Sequence, residues 1–163
     1  MKKLFVPIAL VGLMFASVAF AQGWLTAEPL YGTYTLNTGF TPDPQSVDVV
    51  AGGAEPASNI GAPAHCVGSI VSAQPDVRLH YTAGTTFPLR FYAVSTVDTT
   101  LVVNAADGNW YCNDDGATAT AGLNPVVDIP NPPSGQYDIW VGTWAGGTGN
   151  ATVFVTELLS NGP

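Results

Sequence analysis

Apolar residues recur at every second position in short runs along most of this chain, and the runs are separated by glycine, proline, asparagine and aspartate. Val77, Leu79 and Tyr81 alternate with Arg78 and His80, and Tyr137, Ile139 and Val141 alternate with Asp138, Trp140 and Gly142. A period of two puts successive side chains on opposite faces of a pleated strand. The pattern predicts strands near 31–36, 47–50, 66–71, 77–81, 87–95, 100–104, 110–113, 126–129, 136–143 and 151–158. Turn residues fall between them, at Pro42-Asp43-Pro44, Gly52-Gly53, Asp107-Gly108, Ser134-Gly135 and Gly146-Gly147. No long amphipathic stretch of helical period interrupts the series. Many short strands with regular punctuation predict an all-β fold, an antiparallel β-sandwich of jelly-roll-like form. Leu101 and Val103 are the expected inward pair of their strand. The last strand carries apolar residues on both faces, so it is expected to be central or covered. Residues 51–64 read as a loose Gly/Ala/Pro-rich loop.

The first residues do not fit the series. Met1-Lys2-Lys3 is a short basic stretch, Leu4 to Phe15 is apolar, and Ala19-Phe20-Ala21 is a small-x-small cleavage pattern. This layout predicts a secretory signal peptide over residues 1–21, cleaved before Gln22, and a secreted chain that is extracellular or periplasmic. The apolar run is short for a membrane span of about 20 residues, so the mature chain is expected to have none. Residues 22–163 then form one sandwich domain of ordinary size. Both cysteines, Cys66 and Cys112, lie in it. An even pair outside the cytoplasm is expected to form a disulfide. The alternative is a metal-binding or reactive thiol, with only His65 as a supporting neighbour.

Charge sharpens the picture. The chain has 12 Asp+Glu against 4 Lys+Arg, and cleavage would remove Lys2 and Lys3, leaving Arg78 and Arg90. So acidic a surface repels nucleic acid and anionic lipid and favours cations or basic partners. The acids concentrate in "DTTLVVNAADGNWYCNDD", residues 98–115. If its two apolar runs pair as a hairpin through Asp107-Gly108, then Asp98, Asp114 and Asp115 share one end of it, with Asn113 beside them. A hard cation such as Ca²⁺ takes six to eight oxygen ligands, and this end offers three carboxylates and an amide. The bland alternative is a set of solvated turn acids, with Asp107 serving the tight turn. The spacing is not that of an EF-hand.

Three stretches carry a family resemblance. "STVDTTLVVNAADGNWYCNDD", "NPVVDIPNPPSGQYDIWVGTW" and "NATVFVTEL" resemble, in order, the successive strands of bacterial pre-peptidase C-terminal (PPC) type domains. The resemblance covers residues 75–158. It implies a small extracellular β-sandwich of the kind appended to secreted proteases, and Ca²⁺ bound near Asp98, Asp114 and Asp115. No catalytic domain accompanies the module in this chain.

Other chemistry is sparse. Two histidines and two paired cysteines do not supply the three or four spaced ligands of a zinc site. No nucleophile motif accompanies either histidine, so the chain is expected not to be an enzyme. Trp110, Trp140 and Trp144 cluster in the PPC-like half and are a candidate carbohydrate platform, with core packing as the alternative. The reading is a secreted, non-enzymatic, Ca²⁺-binding module for extracellular adhesion or recognition, its partner a polymer, glycan or protein. The alternative is a structural subunit of an extracellular polymer that pairs with itself through strand edges, with residues 24–36 as a donated strand.

Overall fold

The computed structural model describes residues 23–116 and 122–163. The expected signal peptide, 1–21, lies outside the described residues. The chain forms β1 (Thr33–Asn37), β2 (Gln45–Gly53), β3 (Glu55–Pro56), β4 (Ser69–Ile70), β5 (Val77–Thr82), β6 (Leu89–Ser95), β7 (Thr99–Asn104), β8 (Trp110–Asn113), β9 (Val126–Ile129), β10 (Gly135–Thr143) and β11 (Gly147–Thr156). Short 3₁₀ turns occupy Gly23–Leu25 and Ala57–Ile60. Among the described residues no helix is long and apolar enough to cross a membrane.

The strands make two packed sheets, so the sandwich expectation holds. In the larger sheet β10 is the hub. Its first half pairs with β5, its second half with β7, and its last residue, Thr143, with Ser69 of β4. The smaller sheet runs β2-β11-β6-β9. The last strand, β11, is central there, as its two apolar faces require. Pairing is antiparallel throughout except that β1 lies parallel to β5, which the expectation of a purely antiparallel sandwich missed. The strand expected at 66–71 shrinks to Ser69–Ile70. Gly68 sits at φ +107°, and a Cβ there would fall on the Thr100 side chain. The left-handed backbone and close approach end regular pairing at that point.

Alternation sorts side chains as expected. Val77, Leu79, Tyr81, Leu101, Val103, Tyr137, Ile139 and Val141 face Phe91, Ala93, Ala151 and Val153 of the other sheet and form the main core. Each large side chain fully buried there stabilises the fold by roughly 1.5–3 kcal/mol.

The outer face of the larger sheet is also covered. Trp140 and Val102 pack there against Trp24, Ala57, Ile60, Ala62, Cys66 and Ile70. The supposedly loose loop after β2 is therefore a lid whose apolar residues, spaced between glycines and prolines, fold onto the sheet. Cys66 and Cys112 are joined in a disulfide with Cα atoms 5.2 Å apart, which ties this lid to β8. Trp24 Nε1 donates to the Ile60 carbonyl at 3.0 Å, locking the Gly23–Leu25 turn into the same layer.

Both arginines hold segments outside the strands in place. Arg78 donates to Asp138 at 2.7 Å and to the carbonyls of Trp24 and Ala27. Arg90 donates to both carboxylate oxygens of Asp128 and to the carbonyls of Leu159 and Asn161. Each guanidinium presents a fork of donors, which suits it to gathering several carbonyls at once.

Candidate functional site

The acidic end is built by the β7–β8 hairpin. Leu101 pairs with Asn113, and Asn104 with Trp110, so the strands run back to the same end. Asp98 precedes β7, and Asp114 and Asp115 follow β8, beyond the last paired residues. Burial pushes the Asp98 carboxyl above the usual carboxylate range, and the charges of Asp115 and then Asp114 push it further. The register sets Asp98, Asp114 and Asp115 at the same end of the hairpin, near enough for the charges of Asp115 and Asp114 to act on Asp98.

They are not a tight cage. Among the described residues, the only group of three ligand-bearing side chains whose donor atoms lie within 4.8 Å of one another is His65, Cys66 and Cys112. The two sulfurs of that group are bonded to each other, which leaves the imidazole as its one free donor. A metal held by the acids would have to draw the carboxylates of Asp98, Asp114 and Asp115 inward. Asn113 is engaged elsewhere, because its Oδ1 accepts the Val126 N–H at 3.0 Å and braces β8 against β9.

The tryptophan platform requires correction. Trp140 is fully buried, at 0% exposure. Its ring meets Trp24 edge-on at 5.3 Å and Trp110 at 5.8 Å. Trp110 is half-buried in the same stack. The reason is the lid: an outward strand position is not a wet one when another layer covers it. Only Trp144 is exposed, at 53%, so Trp110, Trp140 and Trp144 do not form one platform. The place of Trp144 is nonetheless informative. Its N–H donates to the Asp98 carbonyl at 3.1 Å, and Thr99 N–H donates to the carbonyl of exposed Leu123. The end that carries the acids also carries an exposed aromatic and an exposed aliphatic side chain.

Asp76 escaped the sequence reading. It is 1% exposed. Its Oδ2 accepts the Val141 N–H at 2.7 Å, where β10 passes from β5 towards β4, so the carboxyl stands in for a missing strand neighbour. Its Oδ1 is buried without a hydrogen-bond partner among the described residues. Desolvation raises its pKa to about 7, and the Val141 bond only partly opposes this. The signal available in sequence was weak: an acid set directly before an apolar strand.

In comparison with known proteins, no family model and no curated protein sequence matches the chain. The likeness to PPC-type domains accordingly rests on the quoted motifs.

Proposed function

We propose that this chain is a secreted, non-enzymatic, PPC-like β-sandwich that binds Ca²⁺ at the Asp98, Asp114 and Asp115 end and uses that end for adhesion or recognition outside the cell. The observation that carries the reading is the β7–β8 register, which sets Asp98 and the Asp114-Asp115 pair at one end of the hairpin; burial, then the charges of Asp115 and Asp114, push the Asp98 carboxyl up. A divalent cation relieves that repulsion, and no lysine or arginine lies within residues 98–115 to do so. Exposed Trp144 and Leu123 beside the acids give the same end an apolar contact surface for a polymer, glycan or protein.

The test is thermal melting in Ca²⁺ and in EDTA. Ligand at 100-fold excess over Kd adds about 2.7 kcal/mol to the native state. Calcium should raise the melting temperature, and Asp98→Ala or Asp114→Ala should erase the difference. Identical curves in calcium and EDTA would reduce the acids to a solubilising surface.

A second reading, self-assembly through strand edges, has one observation in its favour. Edge strands β1 and β2 flank a narrow apolar slot lined by Tyr34, Leu36, Val47 and Val155. The segment expected to be donated, residues 24–36, is docked on its own chain through Arg78, Trp24 and the β1–β5 pairing, so assembly would exchange that contact between copies. Gel filtration and negative-stain microscopy distinguish a monomer from a filament.

A further inference from the structure

A second cleft lies on the larger sheet, away from the acids of the 98/114/115 end. It occupies about 370 Å³ and is lined by Leu25, Asn104, Ala105, Ala106, Gly108, Gln136 and Asp138. Its polar groups share one property. Gln136 Nε2 donates to the Leu25 carbonyl at 3.0 Å and to Asp138 Oδ2 at 2.7 Å. Asn104 Nδ2 donates to the Gly108 carbonyl at 3.3 Å. Gln136 thus directs both amide N–H groups to the protein and Asn104 one of its two, while Gln136 Oε1 and Asn104 Oδ1 accept from no partner among the described residues. Asp138 adds a carboxylate that accepts from Arg78 and Gln136 and is 1% exposed. The remaining lining is apolar, from Leu25, Ala105 and Ala106.

A wall in which acceptors outnumber free donors favours a ligand that is all donor. A primary ammonium has three N–H donors and no acceptor, and its alkyl stem suits an apolar floor. The strongly acidic protein around the cleft favours a cation over a neutral polyol. We propose that this cleft binds a primary ammonium on an alkyl stem, whether the side chain of a lysine on a partner protein or a free polyamine. Hydroxyl-rich ligands fit less well, because each hydroxyl brings acceptor lone pairs and the second Asn104 N–H can meet few of them. The proposal does not depend on the calcium reading.

The experiment is a titration of the purified ¹⁵N-labelled protein, following the side-chain amide resonances of Asn104 and Gln136. The probes are n-butylammonium, n-butanol, a methyl glucoside, Nα-acetyl-lysine methylamide and spermidine. The two amides should shift saturably with n-butylammonium and should not respond to n-butanol or the glucoside. Comparable response to lysine methylamide and spermidine would mark the ammonium alone as the determinant; a stronger response to one of them would identify the source. Asn104→Asp should tighten n-butylammonium binding about fivefold, because a charged acceptor strengthens the bond. Ala106→Phe should block it by filling the cleft, and Ala106→Leu serves if the phenylalanine variant does not fold. Asp114→Ala should leave the response unchanged, which separates this site from the acidic end. Equal binding of n-butanol, preferential binding of the glucoside, or no saturable response up to roughly 0.1 M n-butylammonium would overturn the proposal.

Discussion

The outer faces of the two sheets have the same strand periodicity and opposite fates. On the smaller sheet the outward positions include Arg90, Asp48, Thr152 and Asn150, and they meet solvent or each other: Arg90 pairs with Asp128, and Thr152 donates to Asp48 at 2.8 Å. On the larger sheet the outward positions of β7 and β10 include Thr100, Val102, Asp138 and Trp140, all at most 1% exposed. Alternation says which residues share a face. It does not say whether that face is wet. The deciding information lies outside the strands, in Trp24 and in the run Ala57 to Ile70 that covers the larger sheet.

The largest expected effect tests whether the covered outer face is a true core. Trp140→Ala should destabilise the protein by about 3–5 kcal/mol, close to the cost of an inner-core truncation such as Leu101→Ala, about 2–5 kcal/mol. Chemical denaturation of the two variants measures both. A loss under about 1 kcal/mol for Trp140→Ala would mean that the lid is only loosely laid on the sheet.

Next is the tie between lid and sheet. The Cys66–Cys112 bond spans 46 residues. Its removal by Cys66→Ser with Cys112→Ser should cost about 2–4 kcal/mol through the freed unfolded chain. Hydrogen exchange should then rise first in residues 57–70 and last in the inter-sheet core. A uniform rise would show that the two layers unfold as one unit. Thiol titration of the unfolded, unreduced parent should find no free thiol.

Asp76 gives a pH-dependent version of the same contrast, since it stitches β10 at the point where sheet pairing changes hands. Its native pKa of about 7 stands above the ordinary 3.8. The native state therefore holds this proton more tightly than the unfolded state. The stabilisation is complete below the unfolded value and is lost as pH rises through the native one. Between about pH 4 and 7 the loss is on the order of a few kcal/mol. Asp76→Asn keeps an acceptor for Val141 N–H and should flatten that slope in a series of melts. An unchanged slope would assign it to other acids.

The smallest effect concerns the exposed tryptophan. Trp144→Ala should change stability by no more than about 0.5 kcal/mol. If the acidic end is the recognition surface, the same substitution should weaken partner binding.

Much of the sandwich was legible because strand alternation is a local property. The bounds of β8 and β9 fall where the sequence placed them, and the inward sets of β5, β7 and β10 are those that the pattern chose. The acidic end was legible for a related reason: a hairpin's register is fixed by its turn, so Asp107-Gly108 determines what meets at the open end. What the sequence hid is non-local. Trp140 looked outward and is buried because a segment roughly 80 residues earlier in the chain lies over it. Asn113 looked like a ligand, and Val126 from the next strand claims its oxygen. The acceptor-lined cleft needs Leu25, Asn104 and Gln136 from three distant parts of the chain, and no spacing rule joins them. Asp76 was hidden because a buried acid and a solvated turn acid read identically in one dimension.

The two arginines have a colloidal consequence. Each guanidinium is turned to its own chain, one to the carbonyls of Trp24 and Ala27 and the other to those of Leu159 and Asn161. Among the described residues no lysine or other arginine remains to offer positive charge to a neighbour. Two copies approaching each other therefore meet as like-charged particles, with a repulsion that reaches about 10 Å in 0.1 M salt and about 3 Å in 1 M. Dilute buffer keeps the molecules apart, while concentrated salt or a bridging divalent cation lets them touch. The ionic strength at which light scattering first rises thus reads the excess of acids over bases that the protein presents to its neighbours.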